Sequence, residues 1–169
     1  MKYSRAQIVY HWLTALLILA MVLTGLAFRF DWTGAWVIRA HQVIGQSLIL
    51  VLGLRIASRV MHRAHHPSAH KLWERITSHA THAALYLCMI ALVVTGYVSA
   101  SGLNTPYLLW PVDQTFARSD MGETLLDWHY SLKWMLLALV TLHILGALKH
   151  LLWDKDDTFT HMTPISRKD

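Results

Sequence analysis

The sequence has a single cysteine, Cys88. One thiol excludes an intramolecular disulfide and a thiolate-bound iron–sulfur cluster, and its place inside an apolar run reads as a small buried side chain. Charge is nearly as scarce. Asp, Glu, Lys and Arg make up 15% of the 169 residues, against 54% hydrophobic ones and eight tryptophans. None of the four charged types occurs in residues 6–28, 40–54, 76–112 or 134–148. A soluble domain of this size does not carry such runs, which approach or exceed the length that spans a bilayer.

These runs predict an all-α membrane protein, an up-down bundle of four transmembrane helices at about 6–28, 37–60, 78–100 and 125–153. No internal repeat, low-complexity segment or soluble domain is legible. The first span has no small-residue cleavage site after a short apolar core, so it reads as a retained helix. The net charge of +5 does not point to nucleic acid, because it is distributed by topology. With four spans, Lys2, Arg5, Arg55, Arg59, Arg63, Lys71, Arg75, Lys149, Lys155, Arg167 and Lys168 fall on one side. Only Arg29, Arg39, Arg118 and Lys133 fall on the other, an asymmetry that places the N- and C-termini in the cytoplasm.

What the chain has in excess is histidine, 12 in all. Residues 127–153, DWHYSLKWMLLALVTLHILGALKHLLW, form the longest apolar helical pattern and hold His129, His143 and His150. His129 and His143 are 14 residues apart, so they share nearly one helix face about 21 Å apart along the axis. A lone histidine on an apolar helix is usually a hydrogen-bonded core residue, but an ionisable side chain inside a bilayer is functional by default. Helix 1 offers His11, beside the interfacial anchor Trp12. Helix 2 offers His41 and, again 14 residues on, Arg55, placed for a haem propionate or a quinone head group.

The inner loop and the start of helix 3 add His62, His65, His66, His70, His79 and His82. Their spacing matches no closed zinc pattern and no cysteine accompanies them, so solvated or headgroup-facing side chains are expected there. In helix 3, Gly96 is a close-packing point. The outer loop to Asp127, with Pro106 and Pro111, reads as irregular with a short interfacial helix.

Depth sorts the histidines. At about 1.5 Å per residue from mid-span, His11 lies about 9 Å and His143 about 6 Å to the cytoplasmic side, whereas His41 and His129 lie about 12 and 15 Å to the outer side. Two imidazoles opposed across a bundle hold a b-type haem, suited to electron transfer because both axial positions are filled. Covalent attachment is excluded, since no C-x-x-C-H is present. His82, about 10 Å to the cytoplasmic side, competes with His11 and His143 on depth alone.

Four segments, YSRAQIVYHWL, RAHQVIG, HATHAALYLCMIALVVTGYV and WHYSLKWMLLALVTLHILGALKHLLWDKD, together resemble the bacterial cytochrome b561 family over nearly the whole chain. The resemblance implies one domain over residues 1–169, a multi-pass protein of the bacterial inner membrane with two b haems. It carries the axial ligands onto His11 and His143 for the cytoplasmic haem and His41 and His129 for the periplasmic one, leaving His79 and His82 in supporting roles. One branch of that family passes electrons from periplasmic superoxide to ubiquinone. By that likeness His150 is a candidate quinone residue, with Lys71 a looser one.

Two redox functions follow from the resemblance. One is a superoxide:ubiquinone oxidoreductase; the other is a relay subunit passing electrons between a partner dehydrogenase or hydrogenase and quinone, with the outer loop as docking surface. A non-redox transporter or structural membrane protein is the third class, and it predicts a colourless protein.

Overall fold

The computed structural model describes residues 3–30, 34–61, 72–103 and 109–156. The inner-loop histidines His62, His65, His66 and His70, and the quinone candidate Lys71, lie outside them. Four helices are long and apolar enough to cross a membrane: α1 (Arg5–Arg29), α2 (Trp36–Met61), α3 (Leu72–Gly102) and α5 (Asp120–Lys149), with a four-residue α4 (Gln114–Ala117) before the last. No strand occurs among the described residues.

The helix ends follow local chemistry. Ser4 and Gln7 form a reciprocal capping box at the start of α1. α3 starts at Leu72, earlier than the apolar run predicts, because no helix breaker separates it from Ser78 and Glu74 sits favourably in the first turn. α5 likewise starts at Asp120, where Ser119 caps it and Asp120 and Glu123 complement the dipole. The interfacial helix expected in the outer loop is α4. Its turn into α5 needs Gly122, because a Cβ there would lie 2.2 Å from the Ala117 carbonyl oxygen. At its far end α5 widens into a π-helical turn, His150–Asp154, stopped by Lys155 in the left-handed region at φ 51°. Nothing in the sequence signals that widening.

α1 packs along α2 and α3 along α5, forming two hairpins that touch each other far less, mainly where α2 meets α3. Leu16, Leu23, Leu50 and Leu87 all point outward, which suits lipid and not water. The central core joins Leu52 of α2, Leu85, Cys88 and Met89 of α3 and Leu136 of α5, with Ile18 of α1 against it. Leu136 lies seven residues from both His129 and His143. The apolar core therefore separates an upper from a lower set of histidines.

Candidate functional site

Two imidazole pairs face each other across the seam between the hairpins. His11 of α1 and His143 of α5 have ring centroids 6.1 Å apart, near the end of the bundle where α1 starts and α5 finishes. His41 of α2 and His129 of α5 are 6.4 Å apart, towards the opposite end. A metal ion held between two imidazole nitrogens sets a centroid separation of about 6.4 Å, from two bonds of about 2 Å and about 1.2 Å within each ring. Both pairs match it. His82 does not: it stands 5.1 Å from His143 within the same hairpin, too close for the two rings to oppose each other across one ion. Its Nδ1 donates to the Ser78 carbonyl at 2.7 Å, so its ring packs beside His143 as a wall. His79 is exposed and bonded to the Arg75 carbonyl.

Both rings of the outer pair are braced through Nδ1. His41 Nδ1 donates to Thr24 Oγ1 at 2.9 Å, whose own proton goes to the Ala20 carbonyl. His129 Nδ1 donates to the Leu92 carbonyl at 3.0 Å, with Thr95 Oγ1 at 3.3 Å. Fixing the proton on Nδ1 leaves the Nε2 lone pair as the donor atom. Both tethers lie within one hairpin, so each ring is braced by its own half and presented to the other.

Two glycines make room. A Cβ on Gly96 would lie 2.7 Å from His129 Cε1, and one on Gly25 would lie 3.5 Å from His41 Cε1. The close packing expected at Gly96 is thus against an imidazole. Gln42, beside His41 in sequence and 6% exposed, has both amide atoms buried with no protein partner among the described residues. A buried, unsatisfied amide calls for a polar ligand group. With only two protein donors per pair, the donor set fits an iron whose equatorial positions a macrocycle fills, and fits zinc or copper poorly.

The inner pair has a different neighbourhood. Arg55 donates from a guanidinium nitrogen to His11 Nδ1 at 2.8 Å and lies 5.3 Å over the Tyr86 ring, which Arg59 also approaches. Nearer the same end, His150 Nδ1 meets Asp156 at 2.8 Å and Asp154 at 3.1 Å, while Lys149 bridges Asp154 and Glu74. The π turn and the left-handed Lys155 fold Asp156 back onto His150, so its backbone N–H reaches the His150 carbonyl. Sequence reasoning placed His150 but not its carboxylates. It also missed Thr24 and the Arg55 contact, which depend on how α1 and α2 pair.

A family model described as prokaryotic cytochrome b561 matches residues 2–164. The chain belongs to the prokaryotic cytochrome b561 family. It is thus a multi-pass membrane cytochrome b, an electron-transfer protein of a haem-b family. Two curated relatives match over nearly their whole length. Cytochrome b561 homolog 2 of Escherichia coli (strain K12) is 28% identical, over 99% of this chain and 94% of that protein. The probable superoxide oxidase CybB of Yersinia pestis is 30% identical, over 98% of each.

Proposed function

We propose that this cytochrome b561 is a superoxide:ubiquinone oxidoreductase of the bacterial inner membrane. His11 and His143 would hold a cytoplasmic-side haem b, and His41 and His129 a periplasmic-side one. The observation that carries this reading is the pair of imidazole couples, both spaced for one metal ion and both bridging the hairpin seam. Haem b supplies reversible one-electron chemistry when bound.

Two superoxide anions each give up one electron at the outer pair and leave as dioxygen. Ubiquinone takes both electrons and two protons at the cytoplasmic end to become quinol. Lys133, lying over Tyr130 and Trp134 on the turn that follows His129, is the cation placed to attract the anion. At the other end, His150 on its two carboxylates is the candidate quinone residue. Lys71 is the second. The positive-inside distribution supports the orientation, and the relative named as a probable superoxide oxidase supports the substrate.

The test mixes oxidised, purified protein with superoxide and a short-chain ubiquinone. Two haems per chain, reduced by superoxide and yielding one quinol per two superoxides, are expected. Haem reduction no faster than in a His129→Ala variant would remove the superoxide assignment. A relay role for a partner dehydrogenase has one specific observation behind it, the outward-facing Leu109 and Trp110, 71% and 79% exposed, next to α4. Two haems inert to superoxide, with an iron–sulfur partner co-purifying, would favour that reading.

A further inference from the structure

Among the described residues, one set of three metal-ligating side chains converges on a single point. His150, Asp154 and Asp156 each bring a ligand atom within 4.8 Å of the others. His150 Nδ1 stands 2.8 Å from an Asp156 oxygen and 3.1 Å from an Asp154 oxygen. Donors on one zinc ion, at bonds of about 2.0–2.1 Å, lie about 2.9 Å apart in octahedral and about 3.3 Å apart in tetrahedral geometry. Small side-chain rotations therefore admit an ion.

The backbone departs from regular helix to bring the three together. An α-helix would keep Asp154 on the His150 face but turn Asp156 about 120° away from it. The π-helical turn His150–Asp154 and the left-handed Lys155 fold Asp156 back instead. Both features are uncommon, and such departures collect at functional sites.

Charge and donor type name the ligand. Three carboxylates, Glu74, Asp154 and Asp156, meet here, and the one ammonium in contact with them is Lys149, which bridges Asp154 and Glu74. With a neutral imidazole the group carries two negative charges in excess, which one divalent cation balances. An imidazole beside two carboxylates suits zinc and its first-row neighbours, whereas magnesium and calcium take oxygen ligands. Lys149 keeps Glu74 as its partner when Asp154 turns to the ion. The Asp154 and Asp156 side chains are 33% and 31% exposed, so the ion has a path from water.

We propose that His150, Asp154 and Asp156 bind one divalent transition-metal ion at the C-terminal end of α5, and that the ion withdraws His150 from quinone. Water fills the remaining positions on the ion. The withdrawal rests on the reading of His150 as a quinone residue; the metal site does not.

The experiment titrates zinc into the purified, haem-loaded protein by calorimetry. The chain carries His62→Asn, His65→Asn, His66→Asn and His70→Asn, so that the inner-loop histidines take up none. One zinc per chain is expected. His150→Ala or Asp156→Asn should weaken its binding about 100-fold or more, since losing a ligand costs more than losing the brace of one. Lys155→Gly, which adopts the left-handed turn freely, should bind zinc as tightly as the parent, whereas Lys155→Val should lose about tenfold although it removes no donor. No zinc bound by the parent, or binding unchanged by His150→Ala and Asp156→Asn, would overturn the site.

On the same samples, stopped-flow reoxidation of stoichiometrically reduced haem by a short-chain ubiquinone reads the withdrawal. Saturating zinc should slow it about tenfold or more and have no further effect in His150→Ala. Zinc bound at the site with reoxidation unslowed would overturn the withdrawal and leave the metal site standing. Haem that quinone fails to reoxidise even without zinc would overturn the quinone reading itself, which the calorimetry does not depend on.

Discussion

Gly96→Ala is the smallest change that reaches the outer pair. The added Cβ would lie 2.7 Å from His129 Cε1 and 3.0 Å from Nδ1, where ordinary contact begins near 3.4 Å. The ring must retreat from α3 by about 0.7 Å, since one methyl cannot be absorbed by a close-packed wall. That retreat stretches the bond from His129 Nδ1 to the Leu92 carbonyl from 3.0 Å to about 3.7 Å, beyond hydrogen-bonding range. Losing that bond costs about 1 kcal/mol and the residual overpacking about 1 kcal/mol or more, so outer-haem affinity should fall about 30-fold. The inner pair, about 21 Å away along α5, should be untouched. Haem quantification and difference spectra on washed protein read this out. Gly25→Ala, at 3.5 Å from His41, should have a mild effect, and Gly53→Ala and Gly146→Ala, which meet nothing within 4 Å, none. Retention of both haems at wild-type affinity in Gly96→Ala, or equal loss in Gly146→Ala, would refute the cradle.

Thr24→Val removes the oxygen that accepts the His41 Nδ1 proton while keeping the shape. Loss of such a brace weakens metal binding about 10- to 100-fold, so haem titration of a His11→Ala background should show a drop of that order and an unchanged His129 side. His150→Ala should leave both haems bound and reducible by superoxide but slow quinol formation about tenfold or more, the scale of one positioned proton-transfer group. Asp156→Asn should act in the same direction and more weakly, because Asp154 still reaches His150 at 3.1 Å. Haem reoxidation by quinone at the wild-type rate in both variants would remove this end of α5 from the quinone site.

The four spans were legible because the bilayer punishes charge, and charge-free runs therefore mark them. The helix starts were not, since α3 and α5 extend past the apolar stretch wherever the polar sequence is itself helix-competent, as at Leu72–Ser78 and Asp120–Asp127. The histidine couples were legible by depth, but depth could not separate His82 from His11. What separates them is lateral. His82 shares a hairpin with His143, and His11 stands across the seam. Thr24, Gln42, Gly25 and the Arg55–His11 bond depend on helix rotation and on which helices pair, and no single-sequence periodicity reports either.

The seam itself sets a last prediction. Within each hairpin the helices are closely packed and cross-braced, by Thr24 to His41 and by Leu92 and Thr95 to His129. Between hairpins the contact is sparser, an apolar cluster centred on Leu52, Leu85 and Leu136 with Arg55 and Arg59 of α2 over the Tyr86 ring of α3. In water that cluster would hold the halves together, but lipid tails are as apolar as leucine, so burying it within a bilayer gives little net drive. The four proposed ligands face one another in pairs across the seam, so on the proposed reading haem would add a major tie between α1–α2 and α3–α5. A protease site inserted between residues 62 and 71 tests this. After cleavage in mild detergent the halves should co-purify when haem is bound and separate in a haem-free His11→Ala, His41→Ala chain. Halves that stay together without haem would show that helix packing alone closes the bundle.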